Sequence, residues 1–482
     1  MTVSESDHGA TWREEWADAQ EMKAPAVKDG SVFYRNIEEE LDLSRQTGRC
    51  LPLHLPSHTI DFSNCDVLGF GHTGALREEF LKELDANPGF HMGAGGSRLM
   101  DGTSKYQDNF EREMAELMGV ESVLFVHSGF TANQAIFSTV PRSGDVIVFD
   151  ELTHATALAG MKVSLALEQR PFRHNDVDHF IEVMESIKEA FPLIKSGKRC
   201  VIVGVESYYS MDGDICPLRE LIEAAEEIFP YGNAQFVVDE AHSFGSMGPG
   251  GGLGFVPDQG LEDKVAIRMF TFGKALAGSG GCIVSNNTVR SLLVNQAKVF
   301  ICSIAPPFAL VAAGRAGISL IQTEKAQKAR DYLLYLTRFY LDTLTSHPTF
   351  KKANAKGLLR IPIHEDEDWH EREITHIVPI WTKPKHAHYL SFHLVRDGIN
   401  GTPIVFPIVA KGEDRVRLIM HAHNTEDDAK ALVNSICSWA EEMMEIEASG
   451  DKNKVPSAAR LAFDLVKKEQ VGTNGVKSFS GL

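Results

Sequence analysis

Short runs of apolar residues that end in polar ones recur along the first part of the chain. Such runs indicate buried strands, and here they lie at Ser122–Val126, Val146–Phe149, Val201–Val205, Phe236–Val238, Val265–Phe270 and Gly281–Ser285. Residues with helical spacing fill the gaps, at Tyr106–Met118, Asp178–Ala190, Leu218–Ile228 and Val289–Val299. Strands that are apolar throughout and alternate with helices predict an α/β fold, with a mostly parallel sheet covered on both faces.

The pattern changes beyond Pro306-Pro307. A long helix is predicted at Gly317–Leu344, short strands follow, and a helix at Glu426–Ile446 closes this part. The short strands are predicted at Ile374–Trp381, Ile404–Pro407 and Val416–Met420. We therefore expect an N-terminal extension (1–60), a large domain (61–330), a smaller C-terminal α+β domain (331–446) and a polar tail (447–482). Within the extension, Met1–Asp29 is expected to be charged and loose apart from a short helix at Thr11–Met22.

Length and charge narrow the class of protein. A chain of 482 residues, 43% of them hydrophobic, can bury a large core with a smaller domain attached. The net charge of -18 argues against nucleic acid or an anionic membrane as a partner, because both select for basic patches. Solubility is the simplest explanation of the acidity.

Targeting and redox signals are weak. No apolar run approaches the ~18 residues that a membrane helix needs, and the polar, acidic start is not typical of a signal or transit peptide. We expect a cytoplasmic enzyme; Ser480-Gly481-Leu482 lacks the basic middle residue of a peroxisomal tripeptide, so that location is the weaker alternative. The seven cysteines are scattered and form no C-x-x-C pair, which predicts a reducing compartment and neither a disulfide framework nor a metal site.

Two strand ends carry the candidate chemistry. The run Phe236–Val238 leads straight into Asp239, and His242 follows three positions later. Lys274 follows the next strand, 35 positions after the acid (274 minus 239). Ligands bind at the carboxyl ends of strands in open α/β sheets. An acid that can hold a pyridinium nitrogen and a lysine that can form a Schiff base are what pyridoxal phosphate chemistry needs; the alternative is a buried polar network.

Other polar residues follow strands in the same way. Ser128-Gly129-Phe130 joins a strand to a helix, an arrangement that points free N–H groups at a phosphate. His154 lies just beyond Asp150 and could stack on a flat ring, or it could cap a helix. The glycines of Gly93–Ser97 permit close approach of a ligand or a neighbouring subunit, or form an ordinary loop.

Several longer motifs resemble one family. They are Gly95-Gly96-Ser97-Arg98-Leu99, Ser128-Gly129-Phe130 with Ala132-Asn133, Glu206 with Ser210-Met211-Asp212-Gly213-Asp214, Asp239-Glu240-Ala241-His242-Ser243, Thr271-Phe272-Gly273-Lys274-Ala275, and Arg415-Val416-Arg417 before His421-Ala422-His423-Asn424-Thr425. Over roughly Asp61–Trp439 the chain resembles the α-oxoamine synthases of fold-type I pyridoxal phosphate enzymes, and among them the fungal 8-amino-7-oxononanoate synthases.

The resemblance implies pyridoxal 5'-phosphate as the cofactor and assigns catalytic roles. Lys274 is expected to form the Schiff base and then act as general base, Asp239 to pair with the pyridinium nitrogen, His154 to stack on the ring and His242 to contact its oxygen side. The implied cofactor contacts are Ser128, Gly129, Phe130, His154, Glu206, Ser210, Asp239, His242, Thr271 and Lys274. The family also implies a homodimer with its sites at the subunit interface, where Gly93–Ser97 and Cys302-Ser303 are expected to approach the partner's cofactor.

Substrate binding is implied for four residues. Arg417 is expected to bind the amino acid's carboxylate, which suits the bidentate guanidinium, and a surface ion pair is the alternative. Arg49 is the candidate for a second such arginine. Cys65 and Val67 stand where the family usually has asparagine and an aromatic residue on the substrate side. We therefore expect substrates other than alanine and pimeloyl thioester, and secondary metabolism rather than biotin synthesis.

The implied reaction is a decarboxylative condensation. A small amino acid and an acyl thioester, on coenzyme A or a carrier protein, give an α-amino ketone, a free thiol and CO2. An aminotransferase or an aldolase-type lyase would use the same lysine and acid, so both stay open. A non-catalytic partner subunit is disfavoured because such subunits typically lose the lysine.

Overall fold

A mostly parallel sheet forms the centre of the computed structural model, which describes residues 8–52, 59–246, 251–362, 373–451 and 453–470. The strands in these ranges are β1 (Ile60–Asp61), β2 (Ser122–Val126), β3 (Val146–Asp150), β4 (Glu168–Phe172), β5 (Val201–Glu206), β6 (Ala234–Asp239), β7 (Val265–Thr271), β8 (Gly281–Ser285), β9 (Leu359–Arg360), β10 (Ile380–Thr382), β11 (Ile399–Asn400), β12 (Thr402–Ile404) and β13 (Arg415–Arg417).

Helices surround the sheet and supply the remainder of the fold. Within the same ranges they are α1 (His8–Ala19), α2 (Val32–Arg45), α3 (Ala75–Ala86), α4 (Lys105–Met118), α5 (Gly129–Thr139), α6 (Ala155–Met161), α7 (Val177–Ala190), α8 (Pro192–Lys195), α9 (Leu218–Ile228), α10 (Phe255–Asp258), α11 (Asn287–Gln296), α12 (Lys298–Ile301), α13 (Phe308–Ile321), α14 (Glu324–Ser346), α15 (Pro348–Ala355), α16 (His386–Arg396), α17 (Glu426–Ser449) and α18 (Ser457–Gln470). None of these helices is long and apolar enough to cross a membrane.

The large sheet has the strand order β2-β8-β7-β6-β5-β3-β4. The pairs from β7 through β6, β5 and β3 to β4 are parallel, and β8 runs antiparallel to both β7 and β2. This confirms the α/β class and the mostly parallel sheet. Because the strands from β3 to β7 run the same way, their carboxyl ends lie at one edge, where the predicted site residues follow them.

Alternate side chains of the strands point to opposite faces of the sheet, and helices cover both. Val146 and Val148 of β3 pack with Phe180 of α7 on one face, whereas Ile147 packs with Ile136 of α5 on the other. All these residues are buried. Burial of both faces explains why the strands read as continuous apolar runs rather than alternating ones.

A second sheet follows α14, with the order β12-β13-β10-β9 and antiparallel pairing throughout. The chain beyond β13 continues this pairing, since the N–H of Met420 donates to the carbonyl of His376 at 2.9 Å. This antiparallel sheet and its helices confirm the prediction of a smaller α+β unit after the large sheet. The predicted domain boundaries at 60, 330 and 446 remain predictions.

Several predicted elements differ from the structure. The long helix predicted at Gly317–Leu344 is two helices, because α13 ends at Ile321 and Thr323 caps α14 by accepting from the Ala326 N–H at 3.2 Å. Of the strand predicted at Ile374–Trp381, only the end forms β10. β4 was missed because this edge strand is mainly polar, Glu-Gln-Arg-Pro-Phe.

The two ends of the described chain pack together, and α1 overlaps the short helix predicted at Thr11–Met22 in a stretch otherwise expected to be loose. Trp16 of α1 is fully buried, with its ring 5.0 Å from Phe392 of α16 and 6.3 Å from Phe463 of α18. The α18 side chains Ala458 and Ala462 are likewise buried in this cluster. Glu14 and Asp18 of α1 are exposed whereas Trp16 and Ala17 are buried, so the helix turns an apolar side to this cluster. The terminal Ser480-Gly481-Leu482 lies outside the described residues.

Candidate active site

The carboxyl ends of β5, β6 and β7 meet at one edge of the large sheet. Glu206 pairs in register with Asp239, which pairs with Met269 of β7. Lys274 follows the end of β7 and is close enough to both acids for their charges to raise its pKa, against burial. The structure therefore gathers the amine and the carboxylate that the sequence places after two separate strands.

Lys274 is half-buried among the polar groups that follow these strands. Burial lowers the pKa of its ammonium, although Asp239 opposes the shift. In the part of the chain that the structure describes, the Lys274 amine has no hydrogen bond and no ion pair. Desolvation favours the neutral amine, which is the form that can react as a nucleophile or accept a proton.

Asp239 has a fixed carboxylate. Its Oδ1 accepts from the Ala241 N–H at 2.9 Å and its Oδ2 accepts from Nδ2 of Asn133 at 2.7 Å. Glu206, beside it, is buried, and burial together with the charge of Asp239 raises its pKa well above the ordinary value. Glu206 accepts a hydrogen bond from the backbone N–H of His154, and a contact between Glu206 and a cofactor stays a prediction.

His154 caps α6 and is also tied to Asp239. Its Nδ1 lies 2.8 Å from the Thr156 hydroxyl and accepts from the Thr156 N–H at 3.3 Å. The same hydroxyl accepts from Asn133 at 3.0 Å, so its own proton points to the imidazole. Nδ1 is therefore an acceptor and Nε2 carries the ring proton. Partial burial lowers the pKa of His154. The charge of Asp239 raises this pKa, and the charge of Lys274 lowers it further.

The start of α5 forms a cradle beside β7. Ser128 caps the helix by accepting from the Thr131 N–H at 3.1 Å, and the backbone N–H groups of Gly129 and Phe130 have no partner among the described residues. A Cβ on Gly129 would lie 3.3 Å from the Cβ of Thr271, so a side chain there would crowd the strand. Free N–H groups at a helix N-terminus suit a phosphate.

These features fit pyridoxal phosphate. A reactive amine, a fixed carboxylate and a phosphate cradle lie around the ends of adjacent elements, in the arrangement that the sequence predicts. His242 is buried, and burial and then the charge of Lys274 lower its pKa well below the ordinary value, so it can hydrogen-bond as a neutral imidazole. Ser210 is half-buried in the turn after β5.

Two arginines on β13 differ sharply. Arg415 is buried, ion-paired to Asp212 and Glu413, with its guanidinium 4.1 Å from the Trp381 ring. Arg417 is half-buried, makes no ion pair within the described ranges, and its Nε is buried without a partner. Its charge also contributes to the lowered pKa of His242, after burial and the charges of Lys274 and His376. A free guanidinium at the site favours the carboxylate role over a surface ion pair.

The other predicted substrate residues lie in different settings. Cys65 is half-buried and lies near Lys274. Its charge raises the pKa of the lysine, whereas burial lowers it. Val67 is 2% exposed and packs in the hydrophobic core, so its side chain faces neighbouring apolar groups rather than an open site. Arg49 is exposed and donates to the Thr47 hydroxyl at 2.7 Å rather than to a site residue. Substrate contacts by these three residues stay predictions.

The glycine-rich segment is tightly folded. A Cβ on Gly102 would lie only 2.0 Å from the carbonyl oxygen of Gly96, and buried Arg98 pairs with Glu111 of α4 at 2.6 Å. The first contact closes the segment on itself, and the second ties it to α4, whose Glu111 also accepts from the Phe125 N–H of β2 at 2.9 Å. Its predicted approach to a partner's cofactor, like that of exposed Cys302, stays a prediction.

Sequence reasoning missed three residues of the site. Asn133 and Thr156 connect His154 to Asp239. Asn133 stood in a quoted motif, and its place one turn after Ser128 was the available signal. His376 is buried beside His242, with ring centroids 6.5 Å apart, and no local pattern marks it.

Comparisons with known proteins extend over most of the chain. Residues 57–436 match the family described as aminotransferase class I and II. The chain is 44% identical over 455 residues to aminoacyl transferase sphA of Aspergillus fumigatus, covering 94% of this chain and 96% of that protein. It is 36% identical over 394 residues to 8-amino-7-oxononanoate synthase of Emericella nidulans, covering 81% and 91%.

More distant relatives agree with these matches. The chain is 32% identical over 356 residues to 5-aminolevulinate synthase of Paracoccus denitrificans, covering 73% and 78%. A solved serine palmitoyltransferase from S. paucimobilis, with a bound pyridoxal phosphate–myriocin aldimine, has the same fold, with a TM-score of 0.67 and 24% identity over 80% of this chain and 87% of that one.

Proposed function

We propose a function that follows from the family: the chain belongs to the aminotransferase class I and II family and, within it, to the α-oxoamine synthases of fold-type I, which use pyridoxal phosphate. It is an enzyme of the acyltransferase type. We propose that it condenses a small amino acid with an acyl thioester, with loss of CO2, to give an α-amino ketone.

One observation carries this proposal. Among the described residues the Lys274 amine has no hydrogen bond or ion pair; burial lowers its pKa, and it lies by the ends of β6 and β7, near enough to Asp239 for that charge to act on it. A structural lysine would instead be paired or solvated. When bound, pyridoxal phosphate draws electrons from the amino acid's Cα and so acidifies its proton.

The chain's own groups would divide the work at this site. Lys274 would hold the cofactor through Nζ and, as a neutral amine, would accept the proton of the substrate's Cα. The carboxylate of Asp239, which two hydrogen bonds fix, would keep the ring nitrogen protonated. His154 would stack on the ring, and His242 and Ser210 would contact its oxygen side.

The remaining residues bind the anionic groups. The N–H groups of Gly129 and Phe130, with Ser128 and Thr271, hold the phosphate. Arg417 binds the carboxylate of the amino acid through two parallel hydrogen bonds. In the overall reaction Cα bonds to the acyl carbon, the thiol leaves, and that carboxylate departs as CO2.

The substrates are proposed to differ from those of biotin synthesis. Cys65 replaces the family's usual asparagine next to Lys274. The relative at 44% identity is named an aminoacyl transferase, whereas the 8-amino-7-oxononanoate synthase is 36% identical. Both observations support another acyl donor or amino acid, in a secondary-metabolite pathway.

A homodimer with the site at its interface is part of the proposal. Phe130, at the phosphate cradle, is 50% exposed, and Met92, Met100 and Ile304 expose large apolar surfaces in and beside the glycine-rich segment. Apolar groups in such numbers near a site favour coverage by a second subunit. Sedimentation of the holoenzyme would give the monomer mass if this is wrong.

The decisive experiment supplies purified holoenzyme with glycine, L-alanine or L-serine and a panel of acyl-CoA esters. We expect free thiol, CO2 and a product of amino-ketone mass, and no product from Lys274→Ala. Borohydride should attach the cofactor to wild type and not to that variant. A keto acid without thiol would establish an aminotransferase, and cleavage of the amino acid without thiol would establish a lyase.

A further inference from the structure

Glu206 is a buried carboxyl group to which the proposed mechanism gives no task of its own. The residue ends β5 and is 4% exposed. Among the described residues its side chain has one hydrogen-bond donor, the backbone N–H of His154, on Oε1. A buried carboxylate that keeps its charge has a paired cation or several donors, so the state of this acid needs an explanation.

Glu206 and Asp239 stand side by side on the same face of the large sheet. They are register partners on the parallel strands β5 and β6. Ile202 and Val237 precede them by an even number of positions and pack in one apolar cluster, which places both acids on that face. Because neighbouring strands lie about 4.7–4.9 Å apart, two ionised carboxylates at these positions would repel each other strongly.

The hydrogen-bond donors favour Asp239 as the charged member of this pair. Its two oxygens accept from the Ala241 N–H at 2.9 Å and from Asn133 at 2.7 Å, whereas Glu206 accepts on one oxygen. Hydrogen bonds donated to a carboxylate stabilise its charged form. If the two carboxyl groups hold one proton between them, that proton therefore belongs to Glu206.

The other charged groups near Glu206 do not reverse this assignment. Burial and then the charge of Asp239 raise the pKa of Glu206 well above the ordinary value, and Asp150 of β3 acts in the same direction. The charge of Lys274 and the N–H of His154 lower it. Lys274 is one cation facing two acids, and burial disfavours its own charge, so it does not neutralise both.

We propose that Glu206 is a positioning residue that stays a neutral carboxylic acid, leaves Asp239 as the single anion of the pair, and fixes the backbone of His154 through Oε1. This inference rests on the proposed function, because His154 and Asp239 act as cofactor contacts only if pyridoxal phosphate binds. The carbonyl oxygen of a neutral acid accepts a hydrogen bond as a carboxylate does, but it places no second charge beside Asp239.

Infrared spectroscopy of the full chain, with and without pyridoxal phosphate, tests the protonation state. A protonated carboxyl group has a C=O stretching band that a carboxylate lacks. We expect Glu206→Gln to remove the intensity of one such group from the wild-type band at neutral pH. Glu111→Gln is the control, because Glu111 is also buried but is paired with Arg98 at 2.6 Å, and it should leave the band unchanged. A band that Glu206→Gln does not diminish would overturn the inference.

The pH dependence of stability gives a second measurement. An unfolded glutamate releases its proton near pH ~4.3, whereas folded Glu206 keeps it, so the folded state holds more protons above that pH and wild-type stability falls as pH rises. Glutamine has no proton to exchange. The unfolding constant of wild type relative to Glu206→Gln should therefore rise about tenfold per pH unit between about pH 5 and 7. A ratio that stays constant would mean that Glu206 is ionised.

Cofactor titration tests the positioning of His154. Glu206→Gln keeps an acceptor for the His154 N–H and should bind pyridoxal phosphate within about threefold of wild type. Glu206→Met removes the acceptor and should bind it about tenfold more weakly. Equal affinities of the two variants would overturn the positioning role. Should Glu206→Met fold poorly, the infrared and stability measurements on Glu206→Gln still decide the protonation state.

Failure of this inference differs from failure of the proposed function. If wild type binds the cofactor and forms the amino ketone, but Glu206→Gln changes neither the infrared band nor the pH dependence, only the role of Glu206 fails. If both measurements give the expected result and wild type does not bind pyridoxal phosphate, the proposed function fails, and the positioning role of Glu206 fails with it.

Discussion

Asn133 donates a 2.7 Å hydrogen bond from Nδ2 to Oδ2 of Asp239, joining the first turns of α5 to the end of β6. The other Nδ2 proton goes to the Thr156 hydroxyl, whose own proton faces Nδ1 of His154. One amide thereby sets both the orientation of the acid and the tautomer of the histidine. Because Asp239 can only accept there, the amide cannot rotate without losing this bond.

Replacement of Asn133 should weaken cofactor binding. Asn133→Leu keeps the volume but removes the bond to Asp239, worth about 1.5–3 kcal/mol with a charged acceptor. We expect pyridoxal phosphate to bind about 10- to 150-fold more weakly, measured by titration of the apoenzyme. Thr156→Val removes only the hydrogen bonds of the Thr156 hydroxyl to Asn133 and His154, so it should weaken cofactor binding less. Equal affinities in wild type and a folded Asn133→Leu would contradict the assignment.

Breaking the ion pair beneath Asp239 should destabilise the sheet. Glu240 is fully buried and accepts from Arg268 Nε at 2.6 Å and from the Val256 N–H at 2.8 Å. Arg268→Met leaves an uncompensated buried carboxylate, and we expect about 3–5 kcal/mol lower unfolding free energy in urea. Adding Glu240→Leu should recover part of the loss.

A matched exposed pair provides the control for that prediction. The Lys264 amine lies 2.7 Å from a carboxylate oxygen of Glu226, close to the 2.6 Å between Arg268 and Glu240, but both side chains of this outer pair are about half exposed. Lys264→Met should change stability by less than about 1 kcal/mol. Similar losses for Lys264→Met and Arg268→Met would show that burial is not what makes the inner pair matter.

Stability should depend on pH through His174. Burial alone would lower its pKa, but hydrogen bonds to Asp150 at 2.9 Å and to Asp214 outweigh burial and raise the pKa to about 10. The unfolded chain releases this proton near pH 6.5 and the folded one near 10, so between those values the folded state holds more protons and stability falls as pH rises.

The His174→Gln variant isolates this effect. Its deficit in unfolding free energy relative to wild type should be largest below pH 6.5, on the order of several kcal/mol, and should shrink as pH rises through 10. Urea titrations at half-unit pH intervals measure it. A deficit that stays constant from pH 6 to 10 would mean that the ring is not protonated in the folded protein.

Gly213 should tolerate no side chain for two reasons: its backbone is left-handed, and the Ile377 carbonyl lies where a Cβ would be. It has φ +73°, and a Cβ would lie 2.0 Å from the Ile377 carbonyl oxygen, next to His376. Gly213→Ala should cost ~1–2 kcal/mol for the left-handed conformation and a further ~1–3 kcal/mol for the clash. Thermal unfolding checks this expected loss of stability.

Gly232→Ala separates the two terms. Gly232 has φ +68° and nothing within 4 Å of a Cβ, so only the conformational cost applies. Gly213→Ala should therefore be the more destabilising of the two. If both lose the same stability, the contact with Ile377 relaxes freely and does not hold the segment that carries His376.

The fold was largely predictable because its main signal is local. The strands at Ser122–Val126 and Gly281–Ser285 form as predicted, since each is a continuous apolar run bounded by polar residues. β4 escaped because an edge strand need not be apolar. The packing of Trp16 escaped because its partners, Phe392 and Phe463, come from the far end of the chain.

The sequence by itself determined which chemistry was possible: an acid, a lysine and a helix-starting turn, each directly after an apolar strand, and parallel strands bring their ends together. The tertiary structure alone decided which polar groups are satisfied. Asn133 reaches Asp239 across 106 positions, and Arg415 is ion-paired, whereas Arg417 makes no ion pair with any described residue and has a buried Nε without a partner. Such pairings depend on contacts between distant segments, which local patterns of residues do not encode.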